Sequence, residues 1–384
     1  METRKLYYED SHLREFTAEV LSCEETEKGF AVILSATAFY PEGGGQACDL
    51  GTLGSVNVLD VREQGDTIVH LCDGPLPLGE TVTGAIHWQR RFDLMQQHSG
   101  EHMVSGVIHR RYGYHNVGFH MGSDVITIDF DGVIPAADLP VIEAEVNAGI
   151  WEDLPLRCWY PDPEELPTVP YRTKKELPWP VRIVDVPGFD KCACCGTHVQ
   201  RTGEIGLVKL FTVIGCRGGS RMEMACGNRA MALLTHAFDQ NRQVSQAFSA
   251  QITETGAAAR RMNETLELEK LRFSALQKKL FGFIAKSYGN QGNVLHFEED
   301  LDSVQIRILA DAIAETCGGR AGVFSGSDEH GYGFALVTRE GDLRPFGKAM
   351  TTALAGRGGG KPVFQQGRVA ATRAEIEVFF RENP

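Results

Sequence analysis

The stretch Gln96-Gln97-His98-Ser99-Gly100-Glu101-His102 places two imidazoles four residues apart. In a helix, positions i and i+4 lie one turn apart on the same face, so both rings can reach a single ion. Far along the chain, Cys192-Ala193-Cys194-Cys195-Gly196-Thr197-His198 offers a thiol and an imidazole with three residues between them. Together His98, His102, Cys194 and His198 form a nitrogen–sulfur donor set of the kind that binds one zinc ion. Spacing selects Cys194 as the thiolate, with Cys192 and Cys195 as alternatives. Each half alone has a plainer reading. Paired helical histidines also occur as surface or core residues, and a cysteine-rich turn can be a structural zinc knuckle. Glu101 adds a competitor, because His98-Ser99-Gly100-Glu101-His102 fits the H-x-x-E-H pattern of the inverted zincins, which are metallopeptidases. In those enzymes a distant carboxylate completes the ligand set. A thiolate in its place donates more negative charge and makes a weaker Lewis acid, so the peptidase reading ranks second.

The elements that must position these residues follow from pattern and composition. A chain of 384 residues is too long for one ordinary core. No apolar run reaches the roughly 18–20 residues of a membrane span, and Met1–Leu6 lacks the apolar core of a signal peptide. Ten cysteines without an export signal suit a reducing, cytoplasmic setting and favour metal binding or burial over disulfides. The net charge of −13 argues mildly against nucleic acid unless basic residues are segregated. They are: residues 344–373 hold six Lys/Arg and no Asp/Glu, and Arg90-Arg91 sit beside the histidine pair.

Residues 1–88 read as short strands bounded by Gly, Asp and Pro turns, which predicts a small β-barrel. Within them, Thr37-Ala38-Phe39-Tyr40-Pro41-Glu42-Gly43-Gly44-Gly45-Gln46 has three consecutive glycines, suited to a tight turn or to close passage of the chain. Near Gln89 the pattern becomes helical, and His109 falls near the histidine stripe as an exposed or supporting residue. A strand pair from Gly118 to Phe130, a helix from Asp138 to Trp151 and a Pro-rich stretch from Pro155 to Pro180 follow. Strands around Val181–Val186, Gly206–Phe211 and Arg221–Met224 complete an α+β domain without a βαβ rhythm. Residues 228–287 read as two helices broken at Thr253–Gly256, a helical hairpin or a long arm that could dimerise. Met262, Leu266, Phe273, Leu276, Leu280 and Phe283 share one heptad register there, with Glu269 the polar exception. Residues 288–384 read as a compact α/β domain carrying Arg357-Gly358-Gly359-Gly360-Lys361. This is not a Walker A loop, since Lys361 precedes proline; a flexible cationic loop near a phosphate backbone fits it.

Phe39-Tyr40-Pro41-Glu42-Gly43-Gly44-Gly45-Gln46, His98-xxx-His102, Cys194-xxx-His198-Val199, and Arg221-Met222-Glu223 with Gly227 and Arg229 occur in the order seen in alanyl-tRNA editing proteins. The chain resembles these free-standing relatives of the editing half of alanyl-tRNA synthetase, and its Gly-rich terminal segment resembles the domain that follows in their long form. It departs from the usual Cys-Gly-Gly-Thr-His in having Cys195 after Cys194. The resemblance implies an α+β multidomain hydrolase with a β-barrel (1–88), a zinc-binding deacylase domain (89–227), a coiled-coil arm (228–287) and a tRNA-binding or dimerising α/β domain (288–384). It implies hydrolysis of serine, or glycine, wrongly esterified to alanine tRNA, because a pocket made for alanine rejects both poorly. Under it, Thr37 could offer a hydroxyl to a seryl side chain, Gly44, Gly45 and Gln46 could meet the scissile ester, and His120 could line the pocket. Arg90, Arg91, Arg221, Arg357 and Lys361 are the candidate tRNA contacts, and a homodimer through the arm or the terminal domain is compatible with it. A zinc-stabilised RNA-binding adaptor without catalysis is the remaining alternative of a different class.

Overall fold

Alternation of apolar and polar residues, as in Val56-Asn57-Val58, buries every second side chain and turns the N-terminal runs into strands. These are β1 (Glu15–Thr26), β2 (Gly29–Leu34), β3 (Gly51–Leu53), β4 (Val56–Gln64), β5 (Thr67–Cys72) and β6 (Thr81–Ile86). They close into a barrel in the order β1-β2-β5-β4-β3-β6, which leaves no unpaired edge. Val32, Leu34, Leu53, Val61 and Ile68 fill its interior. The computed structural model describes residues 2–173 and 179–384, so part of the Pro-rich stretch, 174–178, lies outside the described residues.

Helix α1 (Trp88–Tyr112) carries the histidine pair and ends at Gly113, whose φ of 75° is a left-handed cap. From Leu94 to Ile108 every residue is buried, polar ones included. An apolar stripe alone would bury one face; here strand and loop partners satisfy the others. Gln97 accepts from the Cys226 N–H at 2.8 Å and donates to its carbonyl at 3.0 Å, while Gln96 donates to the Glu204 carbonyl at 2.9 Å. Around α1 lie β7 (Asn116–Met121), β8 (Ile126–Phe130), α2 (Leu139–Trp151), β9 (Arg157–Trp159), β10 (Ile183–Val186), β11 (Asp190–Ala193), β12 (Val208–Cys216) and β13 (Gly219–Cys226). One sheet runs β12-β13-β8-β7 and another β9-β10-β11. Met95, Met103, Val104 and Val107 of the helix share a core with Ile128, Val146 and Met224.

Helices α3 (Gly227–Ala247) and α4 (Thr255–Ser287) follow, interrupted close to the expected break. The chain divides into two units, Met1–Gln243 and Val244–Pro384. In the second, β14 (Gly292–Phe297), α5 (Ser303–Cys317), β15 (Gly318–Ser327), β16 (Gly331–Val337), α6 (Arg344–Ala353), β17 (Arg357–Lys361), β18 (Phe364–Val369) and α7 (Arg373–Glu382) build a five-stranded sheet ordered β14-β15-β16-β18-β17. The glycine run expected as a loop is the edge strand β17, with Gly358 opposite Gly367 and Lys361 opposite Phe364. At two of its positions a side chain is excluded by proximity: a Cβ on Gly358 would lie 2.6 Å from the Gln366 carbonyl oxygen and one on Gly360 2.2 Å from that of Phe364. The heptad residues Met262, Leu266, Phe273, Leu276, Leu280 and Phe283 are all at least half exposed. Among the described residues, no helix is long and apolar enough to cross a membrane.

Candidate functional site

Helix α1 presents His98 and His102 toward the turn that follows β11, and that turn returns Cys194 and His198. Their ligating atoms all lie within 4.8 Å of one another. Cys194 Sγ is 3.4 Å from His98 Nε2, whereas Cys195 is exposed and Cys192 lies beside Asp190. Each imidazole is anchored through Nδ1. His98 Nδ1–H donates to Gln46 Oε1 at 2.9 Å, His102 Nδ1–H to Asp190 Oδ2 at 2.9 Å, and His198 Nδ1 makes a longer 3.4 Å contact with Ser99 Oγ. That arrangement leaves the Nε2 atoms for a common centre.

Burial raises the cost of a thiolate at Cys194, yet the imidazoles packed around it, His98, His198 and His102, hold its pKa well below the ordinary thiol value. Burial likewise opposes charge on His102, but the hydrogen bond to Asp190 wins and raises it well above the usual imidazole range. At His198 burial and the neighbouring His98 prevail, lowering it to about 3. Among the described residues His198 Nε2 is buried without a hydrogen-bond partner, and a buried ring nitrogen in that condition calls for one. Three imidazoles and a thiolate, with an orphaned nitrogen aimed among them, fit a zinc ion in donor type and number.

The glycine turn closes on this group. Gly43 and Gln46 pair through both backbone hydrogen bonds, 3.1 and 2.9 Å, with φ of 61° at Gly44 and 85° at Gly45. A Cβ on Gly45 would lie 2.7 Å from the Phe119 ring, which itself stacks on His98 at 5.5 Å between centroids. Gln46 is fully buried and spends its amide internally, accepting from His98 and from the Thr197 N–H and donating to Thr197 Oγ1 at 2.7 Å. Thr37 is also fully buried; its hydroxyl donates to His70 Nε2 at 2.8 Å and accepts from the Phe39 N–H at 3.1 Å. His120 is exposed and, one residue from Phe119 on β7, belongs to the opposite strand face. Glu101 accepts from Ser105 Oγ and Asn116 Nδ2, both at 2.5 Å, and is not part of the donor group, unlike the glutamate of an H-x-x-E-H peptidase.

Among the cationic candidates, Arg91 needs correction. It is fully buried, with Nε 2.9 Å from the Asp49 carboxylate and further bonds to the Ser11 and Ala38 carbonyls, so it ties α1 to the barrel and cannot touch RNA. Arg90 donates to the Cys48 carbonyl at 3.0 Å. Arg221 is exposed but forms a two-bond pair with Asp129 at 2.6 and 2.7 Å. Arg357 and Lys361 are exposed on β17. His109 is bonded through Nδ1 to the Tyr114 carbonyl and takes no place in the group. Sequence reasoning missed Phe119, Asp190 and Arg172, the last gripping Asp190 at 2.7 and 2.8 Å. No spacing pattern marks them, because they reach the site through strand pairing.

Two family models match the chain: residues 181–226 match the threonyl and alanyl tRNA synthetase second additional domain, and residues 2–90 match the class II (A) tRNA synthetases. The alanyl-tRNA editing protein Aarsd1 of Danio rerio is 28% identical over 97% of this chain and 96% of its own length, and that of Mus musculus is 28% identical with the same coverage. An alanine–tRNA ligase of Thermofilum pendens is 30% identical over 98% of this chain, which spans 43% of the ligase. The motifs and the alignments agree: along nearly all of its length, this chain is a relative of the alanyl-tRNA editing proteins.

Proposed function

We propose that the chain edits mischarged alanine tRNA in trans, hydrolysing the ester that joins a wrong amino acid, serine and also glycine, to the terminal adenosine. One water is consumed, and free amino acid and tRNA with a free terminal hydroxyl are released. The observation that carries the reading is the convergence of His98, His102, Cys194 and His198 in a chain whose relatives are named as alanyl-tRNA editing proteins. These four residues would hold zinc, and zinc supplies Lewis acidity and a fixed positive charge for the ester carbonyl. Gln46 keeps His98 oriented, and Phe119 covers the His98 ring against solvent. Backbone N–H groups of the Gly44-Gly45 turn are suited to an anionic oxygen because no side chain shields them. Thr37 retains one lone pair on its hydroxyl oxygen, having used its proton and one acceptor site. A seryl hydroxyl can donate to that lone pair and an alanyl methyl cannot, which is the basis we assign to rejection of serine.

In this reading residues 1–88 and 89–227 carry the chemistry, 288–384 grip the tRNA through Arg357, Lys361 and their neighbours, and 228–287 form an arm. The exposed heptad face of that arm suits a second copy of the chain. In this reading the protein works in the cytoplasm. The internal engagement of Glu101 weighs against the peptidase alternative. The deciding experiment sets seryl-, glycyl- and alanyl-tRNA(Ala) side by side with the metal-loaded and metal-free protein. Release of serine but not alanine, lost with the metal, supports the proposal. Tight tRNA binding without any deacylation would leave the adaptor reading in its place.

A further inference from the structure

His98 and His198 are anchored by neutral groups, an amide oxygen and a hydroxyl, but His102 is anchored by a carboxylate. Asp190 is buried, 7% exposed, at the start of β11, four residues before Cys194. Its second handle is Arg172, whose Nε donates to Oδ1 at 2.7 Å and Nη2 to Oδ2 at 2.8 Å. Backbone bonds hold Arg172 in turn: its N–H donates to the Lys191 carbonyl at 2.7 Å, and its carbonyl accepts from the Ala193 N–H at 2.9 Å. The carboxylate is therefore fixed at both oxygens, and only one imidazole orientation satisfies it.

We infer that Asp190, clamped by Arg172, is a positioning residue that locks His102 with its proton on Nδ1, so that His102 ligates through Nε2 and donates more strongly than the other two imidazoles. The inference rests on the zinc reading above. An orienting carboxylate of this kind fixes a ligand histidine's tautomer and raises its basicity, and its loss typically costs 10–100-fold in metal affinity. The same geometry explains why His102, Asp190 and Cys192, which also lie within 4.8 Å of one another, are not a second cation site. The Arg172 guanidinium already occupies the carboxylate and places a positive charge where a cation would sit.

The test uses the full chain, with zinc affinity measured by competition against a chromogenic chelator. Wild type is expected to bind one zinc. Asp190→Asn is expected to bind it about 10–100-fold more weakly, while Asp185→Asn, on the neighbouring strand and, among the described residues, ion-paired with Lys191, keeps wild-type affinity. A wild-type chain that binds no zinc overturns the metal reading and this inference with it. A folded Asp190→Asn that binds zinc as tightly as wild type overturns the positioning role alone. Should that variant not fold, nitrogen NMR of the zinc-loaded wild type decides: a metal-bound Nε2 with a protonated Nδ1 on His102 supports the lock, and metal on Nδ1 refutes it.

Discussion

Gly196 supplies the sharpest test of the site's packing. Its φ lies outside the left-handed region, so alanine is not excluded by backbone strain. It is excluded by contact: a Cβ there would lie 2.1 Å from His98 Cε1, 2.3 Å from Nδ1 and 3.0 Å from Gln46 Oε1. The first two distances fall short of ordinary contact by more than an ångström, and the backbone cannot retreat freely, because the Gly196 carbonyl accepts from Arg182 at 2.9 Å. The ring must therefore move, giving up its hydrogen bond to Gln46, worth about 1 kcal/mol, on top of about 1–3 kcal/mol of overpacking. A displacement of that size at a reacting centre costs about 100-fold in rate. Gly196→Ala is thus expected to lower Ser-tRNA(Ala) hydrolysis by about two orders of magnitude and to weaken zinc binding, with thermal melting showing a folded protein. Gly44→Ala is the contrast, because no atom lies within 4 Å of its Cβ and only its φ of 61° resists. It should lose about 1–2 kcal/mol of stability while keeping the metal. A Gly196→Ala protein with wild-type zinc affinity and turnover would show that His98 is not where the metal is held.

Four further outcomes follow from the same contacts. Burial depresses His70 to about 4 from an ordinary 6.5, so the stability it contributes is complete above pH 6.5 and drains away as pH falls toward 4. The full loss is about 3 kcal/mol, and urea midpoints that fall equally in wild type and His70→Gln across that window would contradict it. Asp49→Ala strands the buried Arg91 charge and should cost about 3–5 kcal/mol; a denaturation midpoint shift worth under about 1 kcal/mol would mean the pair is solvated. Thr37→Val should narrow the ratio of seryl- to alanyl-tRNA hydrolysis by roughly tenfold, the value of one hydrogen bond to a ligand hydroxyl; an unchanged ratio in parallel deacylation assays removes Thr37 from serine recognition. Replacing Arg357 and Lys361 together by alanine should flatten the salt dependence of tRNA binding by about two in log–log slope, with single-turnover hydrolysis at saturating protein unchanged; an unaltered slope places the tRNA elsewhere.

The parts of the molecule that were readable in its sequence are those in which one local element carries the whole signal. His98 and His102 need only a helix, Cys194 and His198 only a turn, and the α4 heptads only their own periodicity. Helix α1 resisted a fuller reading because its burial is not written in an apolar stripe: Gln96, Gln97 and Ser99 are inside because partners from distant segments satisfy them. Arg91 illustrates the same limit in reverse. Its charge and its neighbour Arg90 suggest a surface for phosphates, and the carboxylate that draws it inward, Asp49, lies 42 residues earlier in the chain. The glycine triplet at 358–360 reads as a loop by composition, yet the constraint that demands glycine at 358 and 360 is the backbone of a neighbouring strand.

What unites the supporting residues, of which Asp190 and Arg172 were missed and Gln46 was read in another role, is that each acts on the donor group from outside it. Gln46 reaches His98 from the barrel's turn, Asp190 reaches His102 from β11, and Arg172 reaches Asp190 from a segment that only backbone pairing brings alongside. Donor residues must be of particular types, so residue type reveals them. A supporting residue needs only an oxygen or a charge at the right place, which many residue types supply, so its identity carries little information and its position carries nearly all of it. A substitution scan that scored only histidines and cysteines would therefore find the donor group and miss the reason its geometry holds.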